Sequence, residues 1–113
     1  MRRHVYIWEF EVQAENQAEF LRHYGPVGTW AQLFRRASGY VETILLQDQK
    51  SSTRYLTVDR WASNEAHDAF LQTNRAEYER IDRLCESLTT AERSLGSTGR
   101  LHRTRVRPDL DPC

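Results

Sequence analysis

Three side chains that could do chemistry lie at alternate positions of one short segment: Tyr55, Asp59 and Trp61. The run from residue 54 to 61 is rich in β-branched and aromatic residues, which predicts a strand, and residues two apart in a strand share a face. The aromatic pair could hold a planar molecule while the carboxylate accepts or orients a proton. We predict Asp59 and Trp61 as catalytic residues and Tyr55 as a substrate contact. The alternative is that both aromatics are core residues and that Asp59 pairs with an arginine.

Three more aromatic side chains are candidates for the same pocket. Tyr24, at the end of a predicted helix, is predicted as a catalytic phenol donor. Trp8, in the first predicted strand, and Tyr78, in a later helix, are predicted substrate contacts. The alternative is that each tyrosine buries its ring and satisfies its hydroxyl locally, as tyrosines on apolar stripes usually do.

The histidines and cysteines indicate neither a metal site nor a nucleophile. The four histidines show no ligand spacing and no Cys-x-x-Cys motif occurs, while Cys85 has the helical spacing of a packing residue. His23 could be a general base but is predicted to lie on the surface, and His67 is predicted to face solvent. No glycine-rich phosphate loop follows a strand. We therefore predict no metal and no cofactor.

Composition excludes several classes of protein. The chain has 113 residues, 28% of them charged, with a formal net charge of zero, so no overall field attracts nucleic acid or an anionic membrane. No apolar run approaches the roughly 18 residues of a membrane helix. Two cysteines do not make a disulfide framework. We expect a cytoplasmic protein with no nucleic-acid or membrane partner.

The elements that must position these residues follow the order β-α-β-β-α-β. Strands are predicted over residues 4–13, 40–48, 53–61 and 90–96, and helical regions over 16–38, with a break at Gly25-Pro26, and 63–88. This order predicts the α+β, ferredoxin-like class: a four-stranded antiparallel sheet with helices on one face. Residues 1–97 form the predicted domain, and residues 98–113, with several arginines and two prolines, a flexible tail.

Local signals predict the ends and inner faces of the helices. Asn16, Ser63 and Asn74 are predicted caps, and Gly39 a left-handed helix stop. The predicted inner stripes, by helical spacing, are Ala18, Leu21 and Tyr24, then Ala66, Ala69 and Phe70, then Tyr78, Ile81, Leu84, Cys85 and Leu88.

Both faces of the predicted sheet carry apolar residues. Val5 and Ile7 oppose Tyr6, Trp8 and Phe10 in the first strand. Helices on one face can cover only one of these sets, and an antiparallel sheet normally leaves its other face polar. A second copy of the sheet would cover the other face, so we predict a homodimer.

Several segments resemble the antibiotic-biosynthesis-monooxygenase-like family of dimeric α/β barrels. They are Trp8-Glu9-Phe10, Tyr24-Gly25-Pro26 with Gly28, Trp30-Ala31-Gln32-Leu33-Phe34-Arg35-Arg36, Gly39-Tyr40, Tyr55-Leu56-Thr57-Val58-Asp59-Arg60-Trp61, and Leu88-Thr89 with Glu92 and Gly96. The resemblance covers roughly residues 4–97. It implies two sheets closing into a barrel, with a pocket in each subunit between sheet and helices.

The resemblance also limits the activity. Some members oxidise aromatic polyketides with molecular oxygen and no cofactor, while others degrade haem, isomerise lactones or cyclise polyketides. Trp61 matches a pocket tryptophan of several members. The haem-degrading branch has an asparagine on the first strand and a histidine about ten residues after that tryptophan. Here those positions hold Trp8 and Leu71, and His67 comes too early, so haem degradation is disfavoured.

The leading hypothesis is a cofactor-independent monooxygenase that acts on a small aromatic or polyketide-like molecule. One alternative is a non-redox isomerase or cyclase on the same scaffold. The other is a protein that binds a small ligand, or is associated with stress, without catalysis.

Overall fold

The computed structural model describes residues 4–99, with side chains up to residue 96, as an antiparallel sheet covered on one face by helices. The elements are β1 (His4–Val12), α1 (Gln17–Tyr24), α2 (Thr29–Phe34), β2 (Tyr40–Gln47), β3 (Arg54–Trp61), α3 (Asn64–Thr73), α4 (Arg75–Cys85) and β4 (Thr89–Gly99). Short 3-10 turns precede α1, at Ala14–Asn16, and follow α4, at Glu86–Leu88. The strand order β2-β3-β1-β4 confirms the predicted ferredoxin-like class.

β1 is a central strand, and its alternation sets which face of the sheet the helices cover. It pairs antiparallel with β3, Trp8 opposite Thr57, and with β4, Phe10 opposite Glu92. Phe10 and Val12 are buried under the helices, as the period-two pattern predicts.

Two glycines shape the break between α1 and α2. The Gly25 N–H bonds to the Leu21 carbonyl and its backbone is then extended, which ends α1. The chain returns against the end of α1 so closely that a Cβ on Gly28 would lie 2.5 Å from the Arg22 carbonyl oxygen. Only glycine fits there, and the predicted helix break is confirmed.

One of the three predicted caps forms. The Ser63 hydroxyl accepts a 3.0 Å hydrogen bond from the Ala66 N–H and caps α3. Asn16 and Asn74 occupy the N-cap positions of α1 and α4, as predicted, but their side chains make no capping bond. The Asn16 amide donates to Gln13 and that of Asn74 to the Phe70 carbonyl.

The inner faces of the helices differ in part from their predicted stripes. Residues predicted inside but exposed are Ala18, Leu21, Ala69 and Leu84. In α1 the buried residues are Phe20, His23 and Tyr24. Phe20 packs against three aromatic rings, including Phe10 at 5.3 Å between centroids. In α1, the burial of the Phe20 ring among these aromatic neighbours sets which face turns inward.

Gly39 is not a left-handed stop. Gly96, with φ 97°, is the one glycine of the described residues that has a positive φ. Gly39 is required for packing instead, because a Cβ there would overlap the Ala66 side chain of α3. The glycine lets α3 approach the start of β2.

β4 extends beyond its predicted range of residues 90–96, to Gly99. The rest of the predicted tail, residues 100–113, lies outside the described residues. Among the described helices, none is long and apolar enough to cross a membrane.

Candidate functional site

A cavity with about 60 Å³ of enclosed space, open to solvent at its mouth, lies between the inner face of the sheet and the helices. This enclosed space is smaller than a typical small-molecule pocket, so a bound ring system would extend into the open mouth. Its lining combines aromatic rings, two threonines and three carboxyl groups: Trp8, Phe10, Tyr24, Trp30, Phe34, Thr43, Thr57, Asp59, Tyr78, Asp82 and Glu92. Such a wall can hold a flat ring and offers hydroxyl and carboxyl groups as polar anchors.

The strand register brings the polar groups of the sheet to this wall. Thr43 of β2 lies opposite Asp59 of β3, and Thr57 lies opposite Trp8 of β1. All four side chains point toward the helices because residues two apart in a strand share a face. Tyr78 and Asp82 are four residues apart in α4, so they occupy one helix face above the sheet.

Asp59 ends a chain of hydroxyl groups. The Thr43 hydroxyl donates a 2.7 Å hydrogen bond to the Asp59 carboxylate, and the Tyr40 hydroxyl lies 2.7 Å from the same Thr43 oxygen. Since threonine has a single hydroxyl proton, Tyr40 donates to Thr43. Burial raises the pKa of Asp59 to about 6, and the Thr43 hydrogen bond offsets part of that rise.

Asp59 does not pair with an arginine among the described residues. The strand arginine nearest in sequence on its N-terminal side, Arg54, pairs with Glu9 and Asp48 on the outer face. Arg35 donates to the Pro26 carbonyl. The carboxyl group faces the cavity, and at neutral pH it is mostly ionised and able to accept a proton.

The two cavity tyrosines are proton donors at neutral pH. Burial raises the pKa of Tyr78 to about 12, with smaller contributions from Asp82, Asp59 and Glu92. Burial also raises the pKa of Tyr24, further than that of Tyr78. Both phenols therefore keep their protons, and neither can act as the base.

A second acidic region lies at the exposed end of the cavity, where Asp82 of α4 and Glu92 of β4 both line the wall. Both side chains are exposed to solvent on one side. Partial burial and the nearby Asp82 charge raise the pKa of Glu92. Like charges at this end of the cavity are thus close enough to interact.

The cavity includes four of the six predicted site residues: Asp59, Tyr24, Trp8 and Tyr78. Trp61 and Tyr55 share the inner face of β3 with Asp59, but they do not line the cavity. Trp61 is fully buried against Phe34 and Phe70, with centroid separations of 5.7 and 5.3 Å.

Tyr55 lies beneath α1, packed on Phe20 at 4.9 Å, and its hydroxyl accepts hydrogen bonds from Gln17 and Gln47. The alternation of a strand predicts on which side of the sheet a residue lies, but it does not predict which helix covers that residue. Helix α1 covers Tyr55 at one end of β3, and α3 covers Trp61 at the other end. The cavity lies between these two helices.

The sequence analysis missed Trp30, Thr43, Asp82 and Glu92. The spacing of Asp82 four residues after Tyr78 was a usable signal, since it places both on one helix face. Glu92 could be found only from its pairing with Phe10, which requires the register of β4. Nothing in the sequence marked Thr43 as a partner of Asp59.

Two histidine predictions were wrong. His23 is buried, and its Nδ1 lies 2.8 Å from the Thr29 hydroxyl, which links α1 to α2. The His67 ring stacks on Tyr6 at 3.9 Å and meets Trp61 edge-on at 5.1 Å. Burial lowers the pKa of His67. Neither histidine lines the cavity.

Within residues 4–99, no group of three or more histidine, cysteine, aspartate or glutamate side chains has an arrangement that could hold a metal ion. Cys85 is buried as a packing residue.

The antibiotic biosynthesis monooxygenase family model matches residues 4–80, more than half of the chain. The chain belongs to this family. No curated protein matches the sequence.

Solved structures with the same fold cover almost the whole chain at low identity. SnoaB from Streptomyces nogalater, a cofactor-independent oxygenase, is 19% identical, with a TM-score of 0.63 over 94% of this chain and 98% of SnoaB. A Bordetella bronchiseptica protein that bears the family name is 20% identical, with a TM-score of 0.68 over 90% of this chain and 100% of its own. PA3566 from Pseudomonas aeruginosa is 17% identical, with a TM-score of 0.65 over 90% and 97%. These likenesses show the shared fold.

Proposed function

We propose that this member of the antibiotic biosynthesis monooxygenase family is a cofactor-independent monooxygenase acting on a small aromatic molecule in the cavity. The observation that carries the proposal is Asp59, a carboxyl group with a pKa of about 6 in an aromatic-lined cavity. A base with a pKa near the working pH combines an ionised form with useful basicity. The similarity to SnoaB, itself a cofactor-independent oxygenase, supports the reaction class.

In the proposed reaction, Asp59 accepts a proton from an activated methylene group that two aromatic or carbonyl neighbours acidify. The resulting electron-rich anion reduces molecular oxygen and combines with it to give a hydroperoxide. Loss of water from the hydroperoxide leaves a ketone. The methylene compound and one O2 thus give one ketone and one water, with one oxygen atom in each product.

The remaining cavity residues have supporting roles in this proposal. Trp8 and Tyr78 contact the flat face of the substrate, and the phenols of Tyr24 and Tyr78 donate hydrogen bonds to the developing oxyanion. Trp61 acts as a positioning residue, because it packs behind Phe34, which lines the wall. Tyr55 also acts indirectly, because it packs beneath α1 and does not line the cavity.

The test is oxygen uptake by the metal-stripped protein with a panel of anthrones, quinols and flavonols. We expect uptake that depends on protein, and an Asp59→Asn variant at least about 100-fold slower, since a positioned base contributes roughly that much. Asn keeps the shape and the bond from Thr43 but cannot accept the proton. Asp68→Asn, the same change at an exposed helix position, is the control and should keep full activity.

Two results would overturn the oxygenase proposal, and a third would overturn the role of Asp59. No uptake with the whole panel by a folded protein would leave a ligand-binding role. Conversion of a panel member without oxygen would indicate the isomerase or cyclase instead. Equal rates for Asp59→Asn and the wild type would remove Asp59 as the base.

We further propose that the chain forms a homodimer through the outer face of the sheet. This face carries a central apolar group: Ile7, Ile44, Leu46, Leu56 and Val58. Ile44 and Leu46 expose 36% and 47% of their surface, and ion pairs such as Glu9–Arg54 lie beside them. An exposed apolar patch rimmed by charge is typical of a protein interface.

A further inference from the structure

The charged residues that line the cavity are all acidic. Its lining includes three carboxyl groups, Asp59, Asp82 and Glu92, and no arginine, lysine or histidine among the residues that the structure describes. Elsewhere in the chain carboxylates pair with arginines, as in Glu77–Arg80 and Glu9–Arg93. No such pair forms for the three cavity acids within residues 4–96. The cavity thus retains negative charge that nothing in the described part of the subunit neutralises.

The three acids are not gathered at one point. Asp59 lies on β3 and Glu92 on β4, with β1 between them, and their pairing positions on β1, Tyr6 and Phe10, are four residues apart. Two strand spacings and four residues along the strand separate their Cα atoms by roughly 16 Å. Tyr78 lines the same cavity, and the charges of Asp59, Asp82 and Glu92 all raise its pKa. The cavity is therefore long, with one carboxyl inside and a pair at the mouth.

Aromatic rings line the space between the two acidic ends. Trp30 meets Tyr78 edge-on, with ring centroids 4.9 Å apart, and Trp8 faces the same space from the sheet. Trp30 is buried. Indole and phenol rings attract a cation over their faces, and carboxylates beside them strengthen that attraction.

We propose that the cavity takes an aromatic substrate bearing a protonated amino group, with the ammonium between Asp82 and Glu92 and the ring near Asp59. The proposal rests on the oxygenase function for the role of Asp59 and names the substrate class for that reaction. An ammonium group supplies the three N–H donors that a carboxylate pair accepts. A carboxylate-bearing aromatic would meet like charge at both ends and is excluded.

The same charge arrangement bears on the reaction. Removal of a proton from the substrate creates an anion in a cavity that already holds carboxylates, which is unfavourable for a neutral substrate. A substrate with an ammonium group becomes net neutral on losing that proton. The amine therefore favours both binding and formation of the reactive anion.

The experiment is calorimetric binding of three probes with one ring system: naphthylmethylamine, naphthalenemethanol and naphthoate. We expect the amine to bind at least about ten-fold more tightly than the alcohol, and naphthoate to bind most weakly. In the Asp82→Asn, Glu92→Gln double variant the amine should lose that ten-fold advantage. Binding of the alcohol should be unchanged, which also shows that the variant is folded. Glu86→Gln, an exposed acid just after α4 that is not in the wall, is the matched control and should keep the preference.

The binding experiment and the oxygen-uptake experiment can fail independently of each other. Equal affinity for amine and alcohol, a preference that survives the double variant, or no binding of any probe would overturn the amine proposal. None of these results bears on oxygen uptake by the panel. Conversely, a clear amine preference without oxygen uptake would leave the cation site in place and remove the oxygenase reaction.

Discussion

At the scale of single residues, Asp59 on the inner face of β3 is buried, and burial disfavours the ionised form of its carboxyl group. Asp59 has a single hydrogen-bond donor, Thr43, and no cationic neighbour among the described residues. Burial favours the protonated form of such a group. A carboxyl kept in this setting makes the folded state depend on pH.

The pH dependence of stability has a defined sign. The pKa of Asp59 is raised in the folded state from 3.8 to about 6, so between these values the folded chain binds the extra proton. Its stabilising contribution is present at low pH and is lost as pH rises through about 6. The change corresponds to on the order of 3 kcal/mol.

We therefore expect Asp59→Asn to gain stability over the wild type by about 2–3 kcal/mol as pH rises from about 4 to about 7.5. Urea unfolding at several pH values measures the difference. Asp68→Asn is the control and should follow the wild type. A difference between Asp59→Asn and wild type that stays constant with pH would contradict the raised pKa.

The sequence could predict the face of this residue but not its surroundings. Alternation along β3 placed Asp59 on the same face as Tyr55 and Trp61, and left open whether its carboxyl group points into the pocket or toward an arginine. Whether it would meet an arginine, a hydroxyl or a cavity depends on β2 and α4, which are distant in the chain. For the same reason Trp61 and Tyr55 could be given the correct face but not their covering helices.

At the scale of elements, close contacts between backbone and helix decide how the helices lie on the sheet. Gly39 precedes β2 and packs against Ala66 of α3. Its φ is not positive, so the requirement for glycine is one of space and not of backbone conformation. That distinction can be tested by changing the partner.

Gly39→Ala should destabilise the fold by about 1–3 kcal/mol, as overpacking does. The penalty should be smaller when Ala66→Gly is introduced as well, although that change alone costs about 1 kcal/mol in a helix. Ala62→Gly is the control, because the Ala62 Cβ would lie at an ordinary 3.9 Å from the new methyl group. Urea unfolding of the single and double variants measures the coupling. If Gly39→Ala had the same cost in the wild type, in Ala66→Gly and in Ala62→Gly, the contact with Ala66 would not be the cause of the destabilisation.

Strands were predicted more accurately than helix faces. The alternation of β1, β2 and β3 located their ends to within one residue, because period two is unambiguous over eight or nine residues. Helices α1 and α2 have eight and six residues, too few for a period of 3.6 to fix the buried side. Their orientation comes from the aromatic core that they cover.

At the scale of the whole molecule, the sheet has one face covered by helices and one face with an apolar centre. The two faces use different residues of the same strands, so the outer face can be changed without touching the cavity. Ile44 and Val58 pair across β2 and β3 at the centre of this face. Leu46 lies two residues after Ile44 on the same face, so a change at Leu46 tests the proposed dimer directly.

Leu46→Glu should convert the proposed dimer to a monomer, because it places a charge in the apolar interface without a partner. Sedimentation velocity at several protein concentrations measures the change. Leu84→Glu, at a leucine of similar exposure on α4, is the control and should leave the mass unchanged. A wild-type protein that sediments as a monomer at all concentrations would contradict the proposed assembly.

The line of hydroxyl groups from Tyr40 through Thr43 to Asp59 can also run in reverse. When the carboxyl is ionised, Tyr40 donates to Thr43 and Thr43 donates to Asp59. When it is protonated, Asp59 can donate to Thr43 and Thr43 to the Tyr40 oxygen, by rotation of hydroxyl hydrogens alone. Both ionisation states are thus satisfied by one arrangement of heavy atoms, so Asp59 can take up and release a proton without rearranging the sheet.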